Sequence, residues 1–500
     1  MSDETLKRGR LKKELAAEVQ EKLTLPLWWA SHHFLFKSVN HINIAHVIML
    51  EEKGILERQA VCKILEILLD LEFGDPARVH PGIGGEFYLD LEKYIIGRIG
   101  EENGGKMHIG RSRNDLIAAA QRMALRDPLD KIIGELVGLI GEEINLAEAH
   151  IATIMPGYTH LQPAQPITVA HYFLGHEMAL TRNARRIENV HAFLNRCPLG
   201  AGALAGVTFS IDRYRTAELL GFEGIMENAL DAVASRDYIF DICAALAMTA
   251  CDLSRLSEDL YIWNTYEFGF IEIGDEYAEM SSIMPQKKNA FVLEHCRGRT
   301  GQVYGDLLAV LTALKGVPFT HSRDVSVEAV SVVWGALEST SSIVTILPGF
   351  LRALKFQFER MKKLSEENFS TVTDLADVLV REKGLSFRTA HHIVARVVDR
   401  MISQEKKPLD ITTLILDEAA VEIVGNSLCL DEKVLQGALD PSHCIERRNL
   451  PGGPAQIEMM RQIELAKKEL AIIESNLKKR IENRKKKENE LLVLAKSYLR

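Results

Sequence analysis

DYIFDICAALAMTACDLSRLSEDLYIW, residues Asp237 to Trp263, is apolar on nearly every side of a helix, with Asp241 and Asp252 among its few interruptions. A helix of this kind has no face to give to water, so neighbours must bury it. Working outward, Leu129, Ile132, Ile133, Leu136, Ile140, Ile144 and Ala147 form an i, i+3, i+4 stripe that starts just after Pro128 and predicts a second helix. Three further segments without internal proline, 167–194, 290–314 and 325–346, the last ending before Pro348, predict three more. Long apolar helices bury themselves best side by side, so the fold class is all-α with a central long-helix bundle. The all-round apolar helix also predicts that subunits associate.

Around this centre, residues 1–115 carry shorter helical patterns broken by PGIGGE (81–86) and EENGGK (101–106), and are expected to form an N-terminal helical domain. The bundle domain is expected over 116–364. Residues 365–500, punctuated by LPGGPA (450–455), make a C-terminal helical domain with a basic tail. Seven basic residues between Lys478 and Lys487 face only Glu482, which predicts a solvated helix face, with an anionic or nucleic-acid contact as the alternative.

The chain has 500 residues, 47% hydrophobic and 26% charged, and a formal charge of -9, which fits a globular enzyme or binder and recommends no nucleic acid as partner. Seven widely spaced cysteines without a C-x-x-C pair argue against a disulfide framework or zinc cage and for a reducing cytoplasm. Met1 to Lys13 is charged and lacks an apolar core, and no stretch of about eighteen uncharged apolar residues follows, so no leader and no membrane span is expected.

Three polar clusters interrupt the apolar background. GRSRND (110–115) puts Ser112, Arg113 and Asn114 at the start of a helical run, where unpaired N–H groups attract anions and an arginine can grip a carboxylate; a solvated cap is the plainer reading. PGYTHLQPAQP (156–166) presents Thr159, His160 and Gln162 from a loop stiffened by Pro163 and Pro166. Its histidine suits either proton transfer near neutral pH or a structural hydrogen bond. MSSIMPQKKNAFVLEHCRGR (280–299) carries paired serines, two lysines, an asparagine and Glu294. A serine acts as a base only where its anion is stabilised, which Lys287 and the start of the next helix could do; a charged surface loop is the bland alternative. His295–Cys296 and His443–Cys444 lack further ligand spacing, so no metal is expected.

Together, GKMHIGRSRND, MPGYTHLQPAQPIT and SSIMPQKKN, with PLGAGALAG (198–206) as a fourth segment, resemble the signature regions of the aspartase/fumarase superfamily, and within it the argininosuccinate lyase family. The ethylenediamine-disuccinate lyases share the pattern. The resemblance implies a three-domain fold, a homotetramer with a twenty-helix core, and active sites built from three subunits. It implies elimination of an amine from an N-substituted aspartate to give fumarate. With no phosphate-cradling glycine loop, metal-ligand spacing or pyridoxal-lysine context in the sequence, no cofactor is expected. Ser281 would be the base, Lys287 and Asn289 would hold the aci-carboxylate, and His160 paired with Glu294 would assist the leaving nitrogen. Ser112, Arg113, Asn114, Thr159 and Gln162 would hold the succinyl carboxylates, and Ser282, Met284 and Arg323 would line the substrate.

The sequence departs from the family pattern at several places. Met280 and Ala290 replace a glycine and a proline around the loop, so the loop is expected to move differently. His321, Ser326 and Ala329 replace a tyrosine, a glutamine and a lysine on the amine side, although Arg323 and Asp324 keep their charges. Tyr88 and Asp90 replace a histidine and an asparagine in EFYLDLE, and the tryptophan-glycine-glycine-arginine-phenylalanine start is missing. These changes spare the succinyl side and fall on the leaving amine. A catalytically silent structural relative and an adenylosuccinate- or aspartate-type lyase remain as alternatives.

Overall fold

The structure, a computed structural model, describes residues 14–82 and 86–500. The charged segment Met1 to Lys13 and the centre of PGIGGE lie outside the described residues. In chain order the main elements are α1 (Leu25–Glu52), α2 (Arg58–Phe73), α3 (Phe87–Ile99), α4 (Arg113–Ala124), α5 (Arg126–Ala149), β1 (Ile154–Thr159), β2 (Gln162–Thr168), α6 (Val169–Leu194) and α7 (Asp237–Trp263). There follow β3 (Glu279–Met280), β4 (Lys288–Asn289), α8 (Phe291–Leu314), α9 (Ala329–Arg352), α10 (Val372–Lys383), α11 (Phe387–Ser403), α12 (Thr413–Val424), α13 (Glu432–Leu439) and α14 (Gln456–Ser497). Shorter helical turns join them, and the only strands among the described residues form three two-stranded ribbons.

Helices α5 to α9 are the five long helices expected, and they pack side by side as one bundle. The whole α5 stripe from Leu129 to Ala147 is buried against α6, α9 and α14. In α7 the fully enclosed Tyr238, Ile239, Ile242, Leu246, Ala250, Leu253 and Leu260 explain why its sequence tolerates so few charges. Each such Leu or Ile withdrawn from water contributes about 1.5–3 kcal/mol to the bundle's stability.

Two expectations are corrected. The last bundle helix does not stop before Pro348 but runs through it to Arg352. A proline inside a helix forfeits one backbone bond, and here Leu347, Phe350 and Leu351, all buried beside it, hold the final turn in place. The helix expected from residue 167 begins at Val169, because residues up to Thr168 belong to a β-hairpin and Thr168 caps the helix, its hydroxyl accepting from the His171 N–H at 3.1 Å.

Buried apolar side chains gather in three large clusters: the bundle with the first half of α14, a second formed by α1 to α4 with the 197–225 segment and the end of α14, and a third spanning α10 to α13. The last helix therefore returns from the third cluster along the other two. Its basic run is only partly a solvated face. Arg480 and Arg484 both bind the buried carboxylate of Asp130 in α5, Arg480 Nε at 2.6 Å, with His191 Nε2 3.2 Å from the same group. Burial raises the pKa of Asp130, but His191, Arg484 and Arg480 outweigh it and hold the carboxyl well below its ordinary range. Among the described residues one helical stretch, Asp324–Arg352, is long and apolar enough to cross a membrane by composition; here it packs into the bundle.

Candidate active site

Ser112 and Asp115 stand at the spacing of a reciprocal helix cap, and α4 starts there as that spacing requires. The Ser112 hydroxyl accepts from the Asn114 N–H at 3.3 Å and Asp115 Oδ1 accepts from the Ser112 N–H at 2.9 Å. Asp115 is fully buried and does more than cap: its Oδ2 accepts from the N–H groups of Gly200 and Gly202 at 3.0 and 2.9 Å. Those two glycines have φ of +84° and +61°, and a Cβ on Gly202 would lie 2.5 Å from the Gly206 carbonyl oxygen, so no other residue fits there. The PLGAGALAG segment is thus a clamp on the start of α4. Asn114 adds a second tie, its Nδ2 donating to the Ala203 carbonyl at 3.0 Å.

From this fixed end Arg113 reaches Glu86, and so does Arg323, both on Glu86 Oε1. Glu86 Oε2 is buried without a partner. His321 stands beside this trio with both ring nitrogens buried and unpartnered, and burial, then Arg236, Arg113 and Arg323, push its pKa down to about 4. It is a neutral imidazole at pH 7. Arg236 is itself buried with Nε and Nη2 unpartnered. Glu86, Arg113, Arg323 and His321 border a cavity of about 360 Å³ walled further by Leu27, Phe34, Phe87, Ile117 and Trp334.

The second cluster is a β-hairpin, not the irregular stiff loop that its prolines suggested. β1 and β2 pair from Ile154↔Thr168 to Thr159↔Gln162 with an irregularity near Gly157, and a two-stranded ribbon has free edges on which Pro163 and Pro166 cost no ladder bond. His160 and Leu161 form its tip at φ +55° and +56°, the two-residue turn that suits a hairpin but that neither residue favours. The strained histidine is exposed, and Thr159 and Gln162 flank it.

The third cluster hangs on the β3–β4 ribbon, in which Met280 pairs with Lys288. Met280 has extended backbone, which any residue adopts, so its replacement of glycine brings no strain in this state. The Ser281 N–H donates to the Lys287 carbonyl at 3.2 Å. The Ser281 hydroxyl oxygen accepts from two backbone N–H groups, Met284 at 3.0 Å and Ile283 at 3.3 Å. Lys287 Nζ donates to Asn289 Oδ1 at 2.5 Å, with both side chains on the same loop, while Ser282 and Met284 are exposed there. Glu294, in the first turn of α8, accepts from the Tyr261 hydroxyl at 3.1 Å.

Within the subunit, then, Ser112, Arg113, Asn114 and Arg323 come together; Thr159, His160 and Gln162 come together; and Ser281, Ser282, Met284, Lys287 and Asn289 come together. Among the described residues no hydrogen bond or ion pair joins one group to another, and Glu294 is bonded to Tyr261 rather than to His160. Reasoning from sequence missed Glu86 as the partner of two arginines, Asp115 as the anchor of α4, and Arg236. The S-x-x-D spacing was a legible signal for Asp115; for Glu86 the signal was only its place after two glycines.

Residues 62–305 match the lyase family, and residues 369–446 match the argininosuccinate lyase C-terminal family. Argininosuccinate lyase 1 of Shouchella clausii is 39% identical over 93% of this chain and 93% of its own length. The chain belongs to the argininosuccinate lyase family. Argininosuccinate lyase of Methanosarcina acetivorans is likewise 39% identical over 94% of this chain and 96% of its own. A crystal structure of EDDS lyase in complex with formate superposes with a TM-score of 0.86, at 34% identity over 97% of this chain and 96% of that one. As a member of the argininosuccinate lyase family the chain is an enzyme with the aspartase/fumarase fold, a carbon–nitrogen lyase that releases fumarate from an N-substituted aspartate.

Proposed function

We propose that Ser281 is the base of this elimination and that the three separated clusters meet in one active site across subunits of a homotetramer. The carrying observation is the Ser281 hydroxyl oxygen, which accepts from the Met284 and Ile283 N–H groups. Hydrogen bonds to an oxygen that becomes an anion favour the anion, so these donors lower the cost of a serine alkoxide.

Ser281 removes a proton from the carbon next to a carboxylate. The electron pair moves into that carboxylate, which becomes an aci-carboxylate held by the Lys287 ammonium and the Asn289 amide. The pair then returns to form the carbon–carbon double bond as the carbon–nitrogen bond breaks, and His160, paired with Glu294 of a neighbouring subunit, assists the nitrogen with a proton. Ser112, Arg113, Asn114, Thr159 and Gln162 hold the succinyl carboxylates, and Ser282, Met284 and Arg323 line the substrate. Closure of the 281–289 loop excludes water.

Support for shared sites comes from the separation of the clusters within one subunit and from large apolar side chains left uncovered on the bundle, Tyr304, Leu308 and Leu311 on α8 and Met248 on α7. The relatives' names make argininosuccinate the reference substrate, and its turnover would place the enzyme in arginine biosynthesis in the cytoplasm. The test is fumarate release, followed by ultraviolet absorbance, from argininosuccinate and a panel of N-substituted aspartates. Turnover that disappears in Ser281→Ala with substrate binding retained supports the reading; equal turnover in the variant rejects Ser281 as base.

A further inference from the structure

We propose that the cavity where the basic run of α14 meets α1 and the start of α5 binds a phosphate group, either free inorganic phosphate or the phosphate end of a small molecule. The site stands apart from the lyase chemistry. No residue of the three polar clusters lines it, and of its wall only Phe34 also borders the cavity beside Arg113.

Arg126 carries the inference. It is the first residue of α5, is 6% exposed and lines the cavity. Its Nη1 donates to the Leu220 carbonyl at 3.1 Å and its Nη2 to Asn195 Oδ1 at 2.6 Å, while the guanidinium lies 4.1 Å over the Phe222 ring. All three partners are neutral, and Nε has no acceptor among the described residues. The two carboxylates that line the cavity are engaged by other cations: Arg484 binds Asp127 at 2.5 Å and Lys37 binds Glu488 at 2.9 Å. Burial foremost, and the neighbouring charge of Arg484, push the Arg126 guanidinium down to about 10, so at pH 7 it is still a cation. A buried cation with only neutral partners is costly to keep, and an anion at Nε removes that cost.

Two further cations face the same space from α14. Arg484 and Lys487 stand three residues apart, which puts them on one face of the helix, and both line the cavity. Lys487 is bonded to Glu490 at 3.1 Å and belongs to the part of the basic run that the Asp130 brace leaves over. Asp127 is exposed, so its carboxylate returns to water when an anion takes its place on Arg484. At about 120 Å³ the cavity has the room of about four water molecules at about 30 Å³ each, enough for one tetrahedral oxyanion and too little for a nucleotide. Guanidinium forks match the oxygen spacing of phosphate, and phosphate has oxygens enough to meet three cations at once, which a carboxylate has not.

The experiment is calorimetric titration of the full-length enzyme with inorganic phosphate and with glycerol 3-phosphate, in phosphate-free buffer at constant chloride. The expected result is a saturable site on each subunit with a Kd of about 1 mM or below for at least one of the two compounds, and the tighter one names the source of the phosphate. Lys487→Ala, at a half-buried side chain, should weaken this binding by about 10-fold, the worth of one charge-assisted hydrogen bond. Arg126→Lys, which keeps the charge and loses the fork, should weaken it at least as much; if that variant does not fold, Lys487→Ala decides alone. Lys433→Ala, exposed on α13, should leave it unchanged. No saturable binding of either compound at about 10 mM overturns the proposal. Binding of full strength in Lys487→Ala overturns it as well. Binding that Arg113→Ala abolishes and Lys487→Ala retains belongs to the lyase site, and that result also overturns it.

Discussion

The start of α4 and the 281–289 loop carry the two halves of the proposed succinyl chemistry, yet they are held in opposite ways. The α4 end is anchored in the core: Asp115 is buried and takes three backbone N–H groups, two of them from a glycine clamp far along the chain. The loop hangs on a ribbon of two residues per strand, Lys288 ties it to Glu272 and Asp275, and Ser282 to Lys287 are exposed. The contrast teaches a division of labour: a fixed end positions an anion by its geometry, and a loosely held end brings the base and can close over it.

The largest expected effect breaks the loose half chemically. Ser281→Ala should lower kcat by roughly 10²–10⁴-fold with little change in substrate binding, read by steady-state fumarate release and by calorimetric titration. A loss confined to KM would mean that Ser281 only binds.

Breaking the fixed half should instead show in stability. Asp115→Ala leaves the N–H groups of Ser112, Gly200 and Gly202 without their acceptor, at about 1–3 kcal/mol for each that stays buried, so urea unfolding should report a loss of about 3 kcal/mol or more. An unchanged midpoint would show that the clamp is dispensable.

The outer brace of the fixed half is Asp130, between α5 and the two arginines of α14. Because its folded pKa lies below the unfolded value near 4, its contribution to stability is present above about pH 4 and is lost as pH falls further. Asp130→Asn should remove about 3–5 kcal/mol at neutral pH and flatten the acid limb of the stability curve, both measurable by thermal melts across pH. The smallest effect is expected at Met280→Gly: the backbone there is extended and unstrained, so kcat should move only a few-fold, and a larger change would show that loop closure passes through a conformation that methionine resists.

Much of this arrangement is legible in the sequence, for identifiable reasons. The apolar stripes of α5 and α7 are long and periodic, and periodicity survives any tertiary context. Pro348 misleads because one lost backbone bond is outweighed by the packing of Leu347, Phe350 and Leu351. The His160 hairpin is hidden by prolines that argue against strands except at a free edge, and by a turn built from His160 and Leu161 where glycine or asparagine is the usual signal. The basic run of α14 reads as solvated because Asp130, the partner of Arg480 and Arg484, lies about 350 residues away along the chain. Within the candidate site, the residue types of all three clusters stand out in sequence, whereas the Glu86 bridge between Arg113 and Arg323 depends on long-range packing that no local pattern encodes.

The central claim, that His160 and Ser281 of different subunits serve one active site, is tested most directly by mixing two inactive variants. Ser281→Ala and His160→Asn are each purified, unfolded, and refolded alone or together, and fumarate release is measured. The account predicts that the mixture regains activity although neither parent has any, since some sites then receive an intact residue from each chain. A mixture as silent as its parents, while capture through a tag carried by one variant brings down the other, would contradict it.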